Sequence, residues 1–498
     1  MPLSLPGMPT NIRKPFFYGS FSTGPSAYEA PMKLLVQGPK LSGGTATEGG
    51  VARVSADPRA DFGDGSILAE MCVAIRRQQP FVELWAQPVT ATGTAATATI
   101  TVNTVPSPGT YPLWVFGRFR RKEITVVSGD TVSTVAAKIA AAINTSFTFP
   151  GTAVQLAMPV TATAAVAVVT VTMRSPGTFV NNRPFVSLQA GDEKSGMAAN
   201  LTVAHQNNGA GTPDVATALA GVAGQHFMTI VSAYDDLAVI DAISTWQDDQ
   251  WSPVNMRYSL SVFARTGTQG TLATAGDAMN KNARIFVGMR DTMSPTWLIA
   301  ASMGADLHNR YNLGMPIEQA QIMARAPMGI TYPLLEGPAV PGTAFTDAEI
   351  NLLFFDGVTP LVVQFDGTVT TAGRIITTYQ KSFVTGLEDT AWLDVSDVMI
   401  AAYFMYYLRD YASKVHAATS LISDDRDGRE GQTRPKDYRN TCISAYKKCA
   451  DAGIVDDIDG YISNSIFEMA SDRKRINARH AITRAAPFLI AANDVRVR

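Results

Sequence analysis

Between His226 and Phe365 the sequence changes period again and again. Short apolar runs at His226–Val231, Tyr258–Phe263, Arg284–Val287 and Pro360–Phe365 have the length of strands. Between them, apolar residues fall at helical spacing over Ala233–Trp246, Thr271–Asn280 and Pro295–Tyr311. Strands separated by helices cannot pair through tight turns. They need crossover connections, which lay the strands parallel and the helices on the sheet faces. Residues 206–385 are therefore expected to be α/β, with Gly367–Tyr379 as a closing hairpin.

An earlier stretch has the same texture. Met32–Gln37 reads as a strand, Gly63-Asp64-Gly65-Ser66 as a turn and helix cap, and Phe81–Ala86 as a second strand. Ile67, Met71, Ala74 and Ile75 between them follow a helical stripe. Residues 26–90 and 206–385 thus read as two parts of one α/β core.

What separates them is different. Residues 91–220 hold 13 charged side chains in 130 and are dense in Ala, Thr and Val. Thr97–Val102 and Ala165–Met173 alternate as strands do, and one helix follows Asp130, with Val132, Val135, Ala136, Ile139, Ala140 and Ile143 on its stripe. Residues 91–205 are expected to be an inserted β-rich domain. Residues 386–498 read as an α+β domain. Ile400, Tyr403, Phe404, Tyr407, Leu408 and Tyr411 form a core stripe, Asp424–Arg434 is a charged loop, and Pro435–Ala452 is a helix ended by Gly453. Short strands are expected at Ala481–Thr483, Phe488–Ile490 and Val495–Val497. Residues 1–25 carry prolines at 2, 6, 9 and 15, which forbid a helix, yet also Phe16, Phe17, Tyr18 and Phe21. Such a segment reads as an extended arm with apolar anchors. The fold class expected is α/β multidomain, with an inserted β-rich domain, an α+β C-terminal domain and extended terminal arms.

Charge and composition remove several functions. Lys plus Arg is 41 against Asp plus Glu 43, so nothing favours nucleic acid by bulk charge. Charged residues are 17% and hydrophobic ones 46%, a balance that suits burial against neighbours. Cys72, Cys442 and Cys449 are too few for a disulfide framework and read as small buried side chains, which implies a reducing compartment. The start, MPLSLPGMPT, has no signal-peptide pattern, and the most apolar helical run, Val398–Leu408, is short of the ~20 residues that cross a bilayer, so a soluble protein is expected. There is no nucleophile elbow, phosphate-binding P-loop, zinc-protease helix or paired CxxC. The histidines are scattered, and His226 reads as a core or edge histidine. The pairs Asp235-Asp236, Asp248-Asp249 and Asp456-Asp457 read as loop and cap acids, and Arg118–Lys122 as a solvated basic face. No catalytic residue, metal or cofactor is expected. On the residues alone, an enzyme with an inserted binding module and a virion structural polymer such as a capsid or tube stay open as alternatives.

A run of short motifs decides among them. They are Arg13-Lys14-Pro15-Phe16-Phe17, Lys33–Leu41 followed by Gly44-Thr45-Ala46, Phe62–Ser66, Pro80–Pro88, Gly93-Thr94-Ala95-Ala96, Asp130–Asn144 and Arg374–Gln380 leading to Trp392-Leu393-Asp394-Val395. In that order and spacing the chain resembles the contractile tail sheath proteins of Mu-like phages over nearly its whole length. The last third departs from the pattern at Asp424–Arg434 and near the C-terminus. The resemblance implies a homo-oligomer of stacked, helically arranged hexameric rings around a tail tube, with baseplate and tail terminator as further partners and no membrane insertion. It implies an outward-facing inserted domain and a virion location, with the host cytoplasm as the place of assembly. Sheath subunits exchange terminal strands. Here that role would fall to Arg13, Pro15, Phe16, Phe17, Tyr18 and Phe21, and to Ile482, Phe488, Ile490, Val495 and Val497. One sheath domain is often called subtilisin-like, but no triad is present to carry protease activity over.

Overall fold

The architecture turns on one strand, β1 (Lys33–Gly38), whose Leu34, Leu35 and Val36 are wholly buried. In this computed structural model, which describes residues 32–178, 180–181, 183–338, 343–471 and 473–489, β1 has a parallel partner on each side. One is β3 (Glu83–Pro88) and the other is β4 (Phe227–Ser232). Beyond β4 follow β5 (Leu260–Thr266), β6 (Arg284–Met289) and β7 (Thr359–Val363), all parallel. Short antiparallel strands close the two edges, β2 (Ala52–Arg53) beside β3 and β8 (Val369–Thr371) beside β7. The order is β8-β7-β6-β5-β4-β1-β3-β2. Every residue of β4 and β6 is buried, as expected of strands covered on both faces.

The crossover helices are α1 (Ile67–Gln78), α2 (Leu237–Gln250) and α3 (Thr296–Arg310), with a shorter helix at Gln269–Asp277. Ser66 caps α1, its hydroxyl accepting the Ala69 N–H at 3.1 Å. Just before it, Gly65 has φ +83°, and a Cβ there would lie 2.9 Å from the Met158 carbonyl. Glycine lets residues 158–174 approach the core at this point.

The parallel sheet agrees with the period of the sequence, with strand ends moved by at most three residues. Two expectations fail. Gly367, at φ +83°, is the turn between β7 and β8 and not the start of a hairpin. The segment after β8 leaves the edge, with Thr377 N–H bonding Leu393 O at 2.8 Å and Thr378 N–H bonding Arg284 O at 2.9 Å. The alternating run Ala165–Met173 is not one strand. The chain reverses at Val166, φ +53°, and Val160–Ala165 pairs back on Val168–Met173. Alternation continues across so tight a turn, so period alone cannot locate it.

Residues 91–205 are β-rich. Thr97–Val102, Leu201–His205 and that hairpin make a four-stranded antiparallel sheet, and Gly109–Val115, Arg121–Val126 and Val186–Ser187 make a second. The helix Val132–Ile143 packs on both, opened by a reciprocal Thr131/Thr134 capping box. Val160–Ala165 is an outer strand. Its Ala162 N–H and C=O are both taken by the side-chain amide of Asn144, at 2.9 and 2.8 Å.

After β8 come α4 (Val395–His416) and α5 (Pro435–Asp451), which pack together; Gly453, φ +74°, follows α5. Three short pairings complete this part among the described residues, Ser420–Leu421 with Gln432–Thr433 at the end of the charged loop, Val455–Asp456 with Thr483–Arg484, and Ile466–Met469 with Ile476–Arg479.

Candidate functional site

Two places combine exposed or bridging structure with an unusual density of polar contacts. They are the seam under residues 91–205 and the strand pairs of the C-terminal part.

The seam begins with charges that the apolar sequence around them would not invite. Glu70 stands on α1 between Ala69 and Met71, all buried. Its carboxylate meets the Arg120 guanidinium, also buried, and accepts the Trp297 indole N–H at 3.2 Å. Arg120 is carried by a short turn at Arg118–Arg120. That turn is held from its other side by Glu336, whose carboxylate accepts the backbone N–H of Arg118 at 2.7 Å and of Phe119 at 3.3 Å. Burial raises the Glu336 carboxyl above its usual range, against the pull of those two amides. Burial lowers the neighbouring Lys122 ammonium to about 8, helped by the charge of Arg120. The basic run at 118–122 is therefore not a solvated face. Arg120, from the turn, and Lys122, from the strand that follows, face inward, while Arg118 and Arg121 stay exposed.

A second clasp lies at the end of β4. Asp235 is buried between Arg183, 2.5 Å away, and Arg265, 2.8 Å away. Burial pushes its carboxyl up, but the two guanidinium groups outweigh that and leave it below the usual carboxylate range. Arg183 also donates to Thr296 Oγ1 at 2.6 Å, and the Thr178 hydroxyl donates to Asp236 at 2.7 Å. Asp236 stands at the N-cap of α2 but its side chain makes no capping bond and is held by Thr178 instead, while Asp235 is a buried ion-pair centre. Glu70, Asp235, Arg265 and Thr296 all follow or end strands on the carboxyl edge of the sheet. In open α/β sheets that edge is where ligands enter, at the point where strand order reverses. Here residues 91–205 pack against it.

The C-terminal strands rest on an aromatic cluster. Tyr446 and Tyr461 stack at 3.9 Å, Phe404 meets both edge-on, and His480 lies against Tyr461, its Nδ1 and the Tyr461 hydroxyl sharing a 2.8 Å hydrogen bond. Burial lowers the His480 imidazole below its usual range. The Tyr446 hydroxyl donates to Asp456 O at 2.6 Å and accepts the Thr483 N–H at 3.1 Å, so one phenol ties both strands of that pair. The pair Ile466–Met469 with Ile476–Arg479 has no further strand on either side among the described residues. Ile466 is 53% exposed at its start. Such a pair offers two open edges.

The arm residues divide as follows. Ile482 packs against the core of its own chain, and Phe488 is 77% exposed. The strand expected at Ala481–Thr483 is found at Thr483–Arg484, paired within the chain on Val455–Asp456. No strand forms at 488–489. Arg13, Pro15, Phe16, Phe17, Tyr18, Phe21, Ile490, Val495 and Val497 lie outside the described residues. Sequence reasoning did not single out Glu70, and it placed Arg120 in the solvated basic face Arg118–Lys122. The legible signal was Glu70 itself, a lone carboxylate on an otherwise apolar helical face, which must find a cation. Cys72, Cys442 and Cys449 are buried, and burial pushes the latter two thiols up to about 12. Among the described residues no group of three His, Cys, Asp or Glu side chains could hold a metal ion, and no helix is long and apolar enough to cross a membrane.

No protein-family model matches the sequence. A curated relative does, end to end. It is a Mu-like prophage tail sheath protein of Haemophilus influenzae, 25% identical over 507 aligned positions that cover 100% of this chain and 99% of the relative. The sheath resemblance drawn from the short motifs is thus borne out, and the relative is a structural tail protein and not an enzyme. Among solved structures, a sheath tail protein of Desulfitobacterium hafniense aligns with TM-score 0.47 and 10% identity over 95% of this chain and 97% of that one. One of Listeria innocua aligns with TM-score 0.46 and 10% identity over 92% and 93%.

Proposed function

We propose that this chain is the subunit of a contractile phage tail sheath, carried by the single observation that its similarity to a tail sheath protein runs from one end to the other. Copies assemble as stacked hexameric rings around a tail tube, between baseplate and tail terminator. They are made and assembled in the host cytoplasm and function in the virion. On triggering, the lattice shortens and widens and drives the tube through the host envelope.

The division of labour follows residues 1–25, 26–90 with 206–385, 91–205 and 386–498, as arm, core, outward domain and C-terminal domain. The two open edges of the pair Ile466–Met469/Ile476–Arg479 accept terminal strands of neighbouring subunits, because strand addition supplies main-chain hydrogen bonds wherever an edge lacks a partner. Head-to-tail contacts of this kind do not close on themselves and so build tubes. Joined strands can stay paired while the bodies they link rotate, which lets a lattice change shape without coming apart.

Negative-stain microscopy of the purified chain tests the reading. Striated or helical cylinders are expected. Closed shells, or single particles at every concentration and salt, would reject it.

A further inference from the structure

The described chain leaves the fold beside an unfilled cleft. Arg484, the last residue of its strand, bonds Ala391 O at 2.9 Å through Nη1 and lies over the Trp392 ring at 5.4 Å. Ala485 N–H then bonds Ile454 O at 3.0 Å. Thr390 and Leu393, on either side of Ala391 and Trp392, line a cleft of about 390 Å³. One wall is apolar, from Phe354 and Phe355 on the helix Asp347–Phe355. The other is acidic, from Glu388 and Asp389. Arg374, which also lines it, is bound bidentately by Asp394 at 2.6 and 2.8 Å, which leaves Lys381 as the opposing cation. The buried Gln380 Nε2 at the cleft has no hydrogen-bond acceptor. Phe355 is 63% exposed, and the adjoining loop shows Phe383, Val384 and Leu387 to solvent.

The sequence that follows fits such a cleft. Residues 490–498 read IAANDVRVR. In an extended segment Val495 and Val497 face one way and Arg496 and Arg498 the other. That places valine against a wall of phenylalanine and arginine against a wall of carboxylate. The distance is short. Residues after Arg484 can span ~40 Å when extended, and their anchor is already at the cleft's rim, so no second copy is needed to fill it.

We propose that in the free subunit residues 490–498 dock in cis in the cleft between the helix Asp347–Phe355 and residues 388–393, holding the C-terminal segment out of reach of neighbours until assembly draws it out. The assembly part rests on the sheath reading above; the docking does not.

The test uses unassembled subunits, so its outcome is separate from whether cylinders form. A chain ending at Leu489 and the full chain are each titrated into a fluorescein-labelled peptide of residues 486–498, with anisotropy as the readout. The shortened chain is expected to bind, and the full chain about tenfold more weakly, because its own segment competes. In the shortened chain, Glu388→Lys and Phe355→Glu, both at exposed positions, are each expected to weaken binding about tenfold. Equal binding by both chains would show the cleft empty in cis and overturn the proposal. So would no binding to the shortened chain, or binding that neither substitution moves while circular dichroism shows both variants folded.

Discussion

Arg120, brought by residues 91–205, ends on Glu70 of α1 with both side chains almost wholly shielded from water. A buried pair of this kind is weak as a source of net stability but costly to break, since removing one partner strands the other's charge.

Glu70→Ala or Arg120→Ala is therefore expected to lower unfolding free energy by about 3–5 kcal/mol. The double variant Glu70→Gln/Arg120→Met is expected to lose less than the sum of the two. Urea unfolding of all variants checks this; additive losses would show that the two side chains do not act as a pair.

The same clasps bear on whether residues 91–205 are needed for the lattice. Replacing them with a short Gly/Ser linker strips Arg120 from Glu70 and Arg183 from Asp235. The linker chain is expected to be insoluble as it stands. With Glu70→Gln and Asp235→Asn added, soluble protein that still forms cylinders is expected. Soluble protein without cylinders would assign those residues a part in the lattice.

Asp306 gives a pH dependence of unusual sign. Burial raises its carboxyl from 3.8 to about 6, with Arg310 and a bond from Tyr332 opposing, and its Oδ2 has no hydrogen bond. The folded state thus binds a proton more tightly than the unfolded chain. The stability this contributes is full below about 3.8 and is lost as pH rises through about 6. Asp306→Asn is expected to flatten the slope between pH 3.8 and about 6 and to stabilise the protein by about 1–2 kcal/mol at neutral pH. Denaturant midpoints measured across that range decide; an unchanged slope refutes the assignment.

Tyr446→Phe removes the hydroxyl that joins Asp456 O to Thr483 N–H. A loss of about 1–2 kcal/mol is expected, with faster amide exchange at Thr483. If exchange there is unchanged, the strand is held by other contacts.

Deleting residues 1–22, or placing Phe16→Asp with Phe17→Asp, is expected to leave a folded subunit that makes no cylinders. Truncation after Leu489 removes none of the described contacts and is expected to do the same, whereas truncation after His480 also strips the strand Thr483–Arg484 from Val455–Asp456. Far-UV circular dichroism and microscopy together separate failure to assemble from failure to fold. Normal cylinders from the shortened chains would rule out strand exchange.

What could be read from the residues had a period. The parallel strands and their helices are long apolar signals, and they stand within a few residues of where they were expected. What could not be read were places where one residue changes direction or finds a distant partner. Val166 turns a strand back within an unbroken alternation, and Gly367 sits in a turn where a hairpin was expected to begin. Arg120 and Asp235 look like surface charges until the residues 50 and 52 positions away are brought beside them. The hairpin Ile466–Met469/Ile476–Arg479 carries Glu468, Arg475 and Arg479 in and around it, so no apolar run announced it.

The side chain of Asn144 imitates a strand. By occupying both main-chain groups of Ala162 it takes the place a further strand would need at that position of the outer strand. The guarded strand belongs to a stretch, residues 139–173, without a single charged side chain to repel a copy of itself. In the proposed lattice identical subunits would crowd at close range, where an open, uncharged edge would zip onto its twin in the wrong register. Asn144 blocks that edge at Ala162, in the middle of the outer strand, where a twin would otherwise pair.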